Sequence, residues 1–240
     1  MIEEVISVEL PVGEKLKIVK NRLEGTNPGF KRIVIVSGIH GDEFEGQYIS
    51  YETARRIKEN PELLQGTVEI YPALNPLGLD IASRVIPKVN MDMNRIFPGA
   101  ENGSMPEYIA ARIVDDLSGS DMVIDIHASN IFLKEIPQVR INTLSRDVLV
   151  PYAKKLNIDF IWVHAAATVL ESTLAYSLNA VDTPTLVVEM GIGMRLTRTY
   201  GDQLITGILS LMASLGMWTA PVMPVAPPIV RSDGCVSFVT

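Results

Sequence analysis

Short apolar runs rich in β-branched residues alternate along this chain with longer stretches in which apolar residues recur at helical spacing. Residues 5–10 and 15–23 read as the two strands of an N-terminal hairpin, joined by Pro11-Val12-Gly13. Ile33-Val34-Ile35-Val36 is apolar at every position, the pattern of a strand buried on both faces. A helix is predicted over about 45–58, stopped before Pro61, and a strand over 68–71. The next helix, 105–117, carries Pro106 near its start, where a missing N–H costs little. Then come a strand over 121–126, an extended piece near 138–141, a helix over 146–156 and a strand over 160–163. A helix beginning near Glu171, a strand over 185–189 and a long helix ending near Gly216 complete the pattern. Such alternation predicts an α/β fold with a mixed, largely parallel central sheet flanked by helices.

One stretch breaks the rhythm. Residues 74–104 show no periodicity, and loops of that length in compact domains are usually functional or disordered. Asp92, Asn94 and Arg95 crowd three strong hydrogen-bonding groups into four positions of it, before the turn at Pro98-Gly99. That crowding favours function.

The strongest chemical signal is Gly38-Ile39-His40-Gly41-Asp42-Glu43, which closes the buried run at 33–36. An imidazole and a carboxylate on one tight turn can grip a small cation, and Zn²⁺ takes ligands of this kind. In open α/β sheets, ligands bind beyond the carboxyl ends of strands, where this turn falls. HxxE alone recurs by chance, and a solvated polar loop is its bland alternative. The chain has three histidines, however, and a second one, His127, also follows directly on a predicted strand. Two histidines and one carboxylate leave a fourth tetrahedral position open, which is the catalytic rather than the structural pattern. His164 has no acidic neighbour and is better read as an ordinary structural histidine.

Other candidates stand near these three. An aspartate such as Asp92 can accept the second N–H of a ligating histidine and fix its tautomer. Arg95 offers a planar fork for a substrate carboxylate, with Asn94 beside it as a neutral donor. Arg84 is a second cation able to polarise a carbonyl, though a lone arginine is more often a surface residue. Glu189 ends an apolar strand, where a carboxylate is costly unless partnered, and it can serve as a general base. Ser129 has no histidine base to make it a nucleophile. Ser172 is better explained as a helix cap than as a substrate donor.

GIHGDE, DMNRIFPG, DIHAS and VEMG, in that order, resemble the succinylglutamate desuccinylase/aspartoacylase family of zinc-carboxypeptidase-like proteins over roughly residues 30–218. The resemblance implies a zinc-carboxypeptidase-like fold and hydrolysis of the amide of an N-acyl amino acid or similar carboxylate-bearing small molecule at one Zn²⁺. His40, Glu43 and His127 match the metal ligands, and Glu189 the base that takes a proton from water. Asn94 and Arg95 match the carboxylate-binding pair, and Asp92 the partner of the first histidine. Arg84 matches the carbonyl-polarising arginine less securely, because the loop between it and Asn94 varies in length in the family. Family members usually continue into a small β-rich domain over the active site. On that pattern residues 1–219 form the catalytic domain. Residues 220–240 are a Pro-rich linker and the opening strand of a C-terminal β domain that is truncated or absent. A tyrosine supplied by that domain in some relatives has no assignable counterpart. A metallocarboxypeptidase acting on small or cell-wall peptides, and a non-catalytic metal- or carboxylate-binding module, remain open as alternatives.

Composition changes the picture little. A chain of 240 residues with 47% hydrophobic content can bury one large core. Net charge is −7 with no basic run, which argues against nucleic acid as a partner. A single cysteine, Cys235, allows no intrachain disulfide and suits a reducing cytoplasm. The N-terminus carries acids where a secretory signal would carry bases. Residues 204–221, the longest uncharged helical stretch, hold Thr206, Ser210, Ser214 and two glycines, and read as a buried helix rather than a membrane span. A soluble cytoplasmic protein is expected, with a small-molecule substrate as its partner and a homo-oligomer left open.

Overall fold

The computed structural model describes residues 1–165 and 170–232. Nine strands form one sheet in the order β1-β2-β4-β3-β5-β8-β6-β7-β9. They are β1 (Ile2–Glu9), β2 (Lys15–Glu24), β3 (Arg32–Ser37), β4 (Thr67–Tyr71), β5 (Met122–Ala128), β6 (Glu135–Asn142), β7 (Phe160–His164), β8 (Thr185–Gly191) and β9 (Ile229–Arg231). β1 and β2 form the predicted antiparallel hairpin, and β2 joins β4 antiparallel. The pairings β3–β4, β3–β5, β5–β8, β6–β7 and β7–β9 are parallel, while β6 runs antiparallel to β8. The sheet is therefore mixed and largely parallel.

The run at 33–36 explains the two-layer packing. Ile33 and Ile35 face one core, with α1 (Glu45–Glu59), α4 (Arg146–Ala153) and α6 (Arg198–Ser214) packed on it through residues such as Ile49, Leu149 and Ile205. Val34 and Val36 face the other, covered by α3 (Met105–Leu117) and α5 (Leu174–Asn179) through Ile113 and Leu178. A strand covered on both sides needs apolar residues at consecutive positions, because successive side chains point to opposite faces. Within the second layer Glu69 of β4 is fully buried and bonded to Lys20, Arg22 and Arg32.

Departures from the sequence pattern are local. The irregular stretch contains a short helix, α2 (Pro76–Asp80), and one 3-10 turn, Met93–Arg95. α4 ends at Ala153 rather than near 156, three residues earlier than its apolar spacing suggests. α5 begins at Leu174, not near 171, because its cap is Thr173, whose hydroxyl accepts the Tyr176 N–H. The capping role expected of Ser172 thus belongs to its neighbour. Residues 229–231 add an edge strand beside β7. Residues 166–169 and 233–240, Cys235 among them, lie outside the described residues. Among the described residues no helix is long and apolar enough to cross a membrane.

Candidate metal centre

β3 and β5 are parallel neighbours, so their carboxyl ends lie side by side, Ser37 opposite Ile126. The turn leaving β3 needs glycine twice. Gly38 has φ +65°, and a Cβ on Gly41 would sit 2.0 Å from the Gly78 backbone of α2. This tight seat aims His40 and Glu43 at His127 on the adjoining strand. His40 Nδ1 lies 2.7 Å from Glu43 Oε1, and His127 Nδ1 lies 3.0 Å from Glu43 Oε2. The two Nδ1 atoms are 3.3 Å apart, and all three side chains are buried. The Ala128 N–H also donates to Glu43 Oε2 at 3.0 Å.

The outer nitrogens decide what the inner ones can do. His40 Nε2 faces Asp92 Oδ1 at 3.1 Å, and His127 Nε2 faces Asp125 Oδ2 at 3.2 Å. If each Nε2–H donates outward, both Nδ1 lone pairs and the Glu43 carboxylate converge on one point with no proton among them. Three acceptors in that arrangement call for a cation. Among the described residues these three are the group able to hold a metal.

The protonation equilibria of these side chains agree. Burial opposes a charge on His40, but the hydrogen bonds to Asp92 and Glu43 outweigh it and raise its pKa. Burial likewise opposes a charge on His127, yet Asp125 and Glu43 push its pKa well up. Glu43 moves the other way: burial would raise it, and His127 and His40 hold it well below the usual range. The site attracts positive charge.

Arg84, exposed on the irregular stretch, donates to Glu43 Oε1 and to Asp92 Oδ2, both at 3.2 Å. Asp92 also accepts the Asn94 N–H at 2.9 Å. The Asn94 side-chain carbonyl is taken by the Leu174 N–H at 3.0 Å, which leaves its NH₂ for the adjoining space. Arg95 is exposed, donates to the Asn94 carbonyl at 2.7 Å and has no carboxylate partner among the described residues. Glu189 stands opposite His127 in the β5–β8 register. Burial pushes its carboxyl up to about 7, against the opposing pull of Arg140.

A cavity of about 330 Å³ joins these groups. Its wall includes His40, His127, Arg84, Asn94, Arg95 and Glu189, and it extends past Arg140 toward Tyr176 of α5. His164 also lines it, although nothing in its sequence context marked it. Ser129 does not line it.

Asp125, Arg140 and Glu135 are absent from the residues singled out in the sequence. Asp125 carried a usable signal: two positions before His127 on a strand, it had to share that residue's face. Arg140 donates to Glu189 Oε1 at 3.2 Å and to Glu135 Oε1 at 2.7 Å. No local pattern announces that cluster.

Residues 30–215 match the succinylglutamate desuccinylase/aspartoacylase catalytic domain. Over 107 residues the chain is 34% identical to N-alpha-acetyl-L-2,4-diaminobutyric acid deacetylase from Halomonas elongata, a stretch covering 43% of this chain and 30% of that relative. The fold matches that of a succinylglutamate desuccinylase/aspartoacylase from Rhodobacter sphaeroides at TM-score 0.80 and 22% identity, over 93% of this chain and 69% of the other. It also matches the product-bound ectoine utilization protein EutE (DoeB) from Ruegeria pomeroyi at TM-score 0.82 and 18% identity, over 95% and 70% of the two chains. With the catalytic-domain match spanning most of its length, this chain belongs to the succinylglutamate desuccinylase/aspartoacylase family.

Proposed function

We propose that the protein is a zinc-dependent hydrolase that cleaves the amide of an N-acyl amino acid or a similar carboxylate-bearing small molecule. The observation that carries this reading is the convergence of His40 Nδ1, His127 Nδ1 and the Glu43 carboxylate, with a separate, partly buried carboxylate, Glu189, lining the same cavity. A binding module has no need of that extra base. The donor set of two nitrogens and one oxygen suits Zn²⁺. When bound, Zn²⁺ supplies Lewis acidity, lowering the pKa of water toward ~7 and polarising the scissile carbonyl.

The chain's own residues supply the rest. Asp92 and Asp125 hold the two imidazoles in the tautomer that offers Nδ1 inward. Glu189 accepts the proton of the attacking water and returns it to the leaving amine. Arg95 and the Asn94 amide anchor the substrate carboxylate, and the charged Arg95 has no carboxylate partner to give up. Arg84 stabilises the oxyanion by exchanging part of its contact with Glu43 for the developing charge.

The deciding measurement is elemental analysis of the purified protein and of His127→Ala, followed by a panel of N-acyl amino acids and dipeptides. About one equivalent of zinc, lost in the variant, with turnover confined to N-acyl amino acids, is the expected result. Zinc retained in the variant overturns the ligand set, and turnover confined to dipeptides makes the protein a carboxypeptidase.

A further inference from the structure

We propose that Arg140, braced by Glu135 and stacked on Trp162, is a positioning residue that fixes the Glu189 carboxylate for proton transfer. The inference rests on Glu189 acting as the base.

The sheet brings these residues together in an unobvious way. β6 and β8 are antiparallel, with Arg140 opposite Val187 and Gln138 opposite Glu189. Arg140 and Glu189 are therefore diagonal neighbours, a separation that a long side chain spans. Glu135 lies five positions before Arg140, and in a regular strand an odd separation puts two side chains on opposite faces. The β6–β8 register shifts between Glu135 and Gln138: Glu135 pairs with Gly191 and Gln138 with Glu189, three residues on one strand against two on the other. The extra residue restores parity and turns Glu135 onto the cavity face, where it meets Arg140 at 2.7 Å. Bulges beside active sites commonly re-aim a side chain in this manner.

Arg140 is held from three sides. Glu135 takes one end of the guanidinium, Glu189 Oε1 the other, and the Trp162 ring of β7 lies 5.7 Å below its centre. A planar guanidinium is suited to this combination of stacking and two directional bonds, and an ammonium is not. Among the described residues no donor reaches Glu189 Oε2. One oxygen of this cavity-lining carboxylate is thus tied to a fixed cation, and the other is left without a donor and able to take a proton. Misplacement of a reacting group by about 1 Å can cost ~10²-fold in rate, so a carboxylate released from Arg140 loses turnover without losing substrate or metal.

The test uses Arg140→Ala, Arg140→Lys and Glu135→Gln, with Glu189→Gln as reference, assayed on the N-acyl amino acid that the unaltered protein cleaves fastest. For Arg140→Ala a fall in kcat of about 10²-fold is expected, with KM within about twofold and metal content unchanged. Guanidinium added in solution restores part of the rate. Arg140→Lys and Glu135→Gln fall between, which keeps the test informative if the alanine variant folds poorly. Crystal structures of the same variants read position without activity: Glu189 leaves its place in Arg140→Ala. A raised KM at unchanged kcat, or Glu189 unmoved in that structure, overturns the proposal. Full activity in Arg140→Ala beside an inactive Glu189→Gln overturns it while leaving the base intact. Full activity in Glu189→Gln instead removes the base itself.

Discussion

Asp125 lies 3.2 Å from the outer nitrogen of His127, two residues along the same strand, and both side chains are buried. The pair stands at ion-pair distance but short of hydrogen-bond alignment, and neither atom has a hydrogen-bond partner elsewhere. Losing a carboxylate behind a metal-bound histidine typically costs ~10–100-fold in affinity. Asp125→Asn is expected to weaken metal binding within that range, measured by competition with a chromogenic chelator. Unchanged affinity removes Asp125 from the centre.

Glu189→Gln keeps the metal ligands and loses the proton acceptor. Metal content should stay at one equivalent while turnover falls by ~10²-fold or more. The variant's activity against its metal content checks both at once.

The pH profile follows from the burial of Glu189. Its carboxyl is raised from the ordinary value to about 7, so without metal it is neutral below that pH and ionised above it. A base must be ionised, so activity is lost as the pH falls. A cation at the neighbouring ligands favours the carboxylate and lowers this pKa. The acidic limb of kcat/KM should therefore fall at or below about pH 7. A limb above that value contradicts Glu189 as the titrating group.

Arg95→Ala should raise KM for substrates bearing a free carboxylate and leave their carboxamide analogues nearly unaffected. The comparison of the two KM ratios is the check. Equal effects on both remove Arg95 from carboxylate recognition.

Glu69 gives a prediction for stability rather than chemistry. It is fully buried among Lys20, Arg22 and Arg32. Removing one member of a buried ionic cluster strands the others, at a typical cost of about 3–5 kcal/mol. Glu69→Gln should lower denaturant stability on that scale while the folded fraction still binds metal. Asp116, which also pairs with Lys20, sets the outcome toward the lower end.

The clustering of His40, Glu43 and His127 was legible because its signals are short-range. A histidine and a glutamate three apart after a buried run, and a second histidine ending another, need only strand ends to coincide in space. Most strands were legible for the same reason, since the consecutive apolar residues at 33–36 admit few other environments. The Arg140–Glu135–Glu189 cluster was not. Two of its members, Glu135 and Arg140, lie five positions apart on one strand, the wrong parity for a regular sheet, and only the register shift against β8 brings them to one face. The order β3-β5-β8-β6 was hidden too, because strand neighbours are fixed by contacts distant in sequence. The start of α5 was misplaced because two adjacent hydroxyl residues compete for one cap.

Those four neighbouring strands carry or lead into His40 and Glu43, His127, Glu189 and Arg140 in lateral succession, whereas Arg84, Asp92, Asn94 and Arg95 ride on the irregular stretch that also lines the cavity. Central strands open only near global unfolding, while loop segments open at lower free energy. Under rising denaturant the two halves should part company, with amides of the loop exchanging before those of β5. On the proposed function, the protein would then forget which molecule it prefers before it surrenders its metal ion.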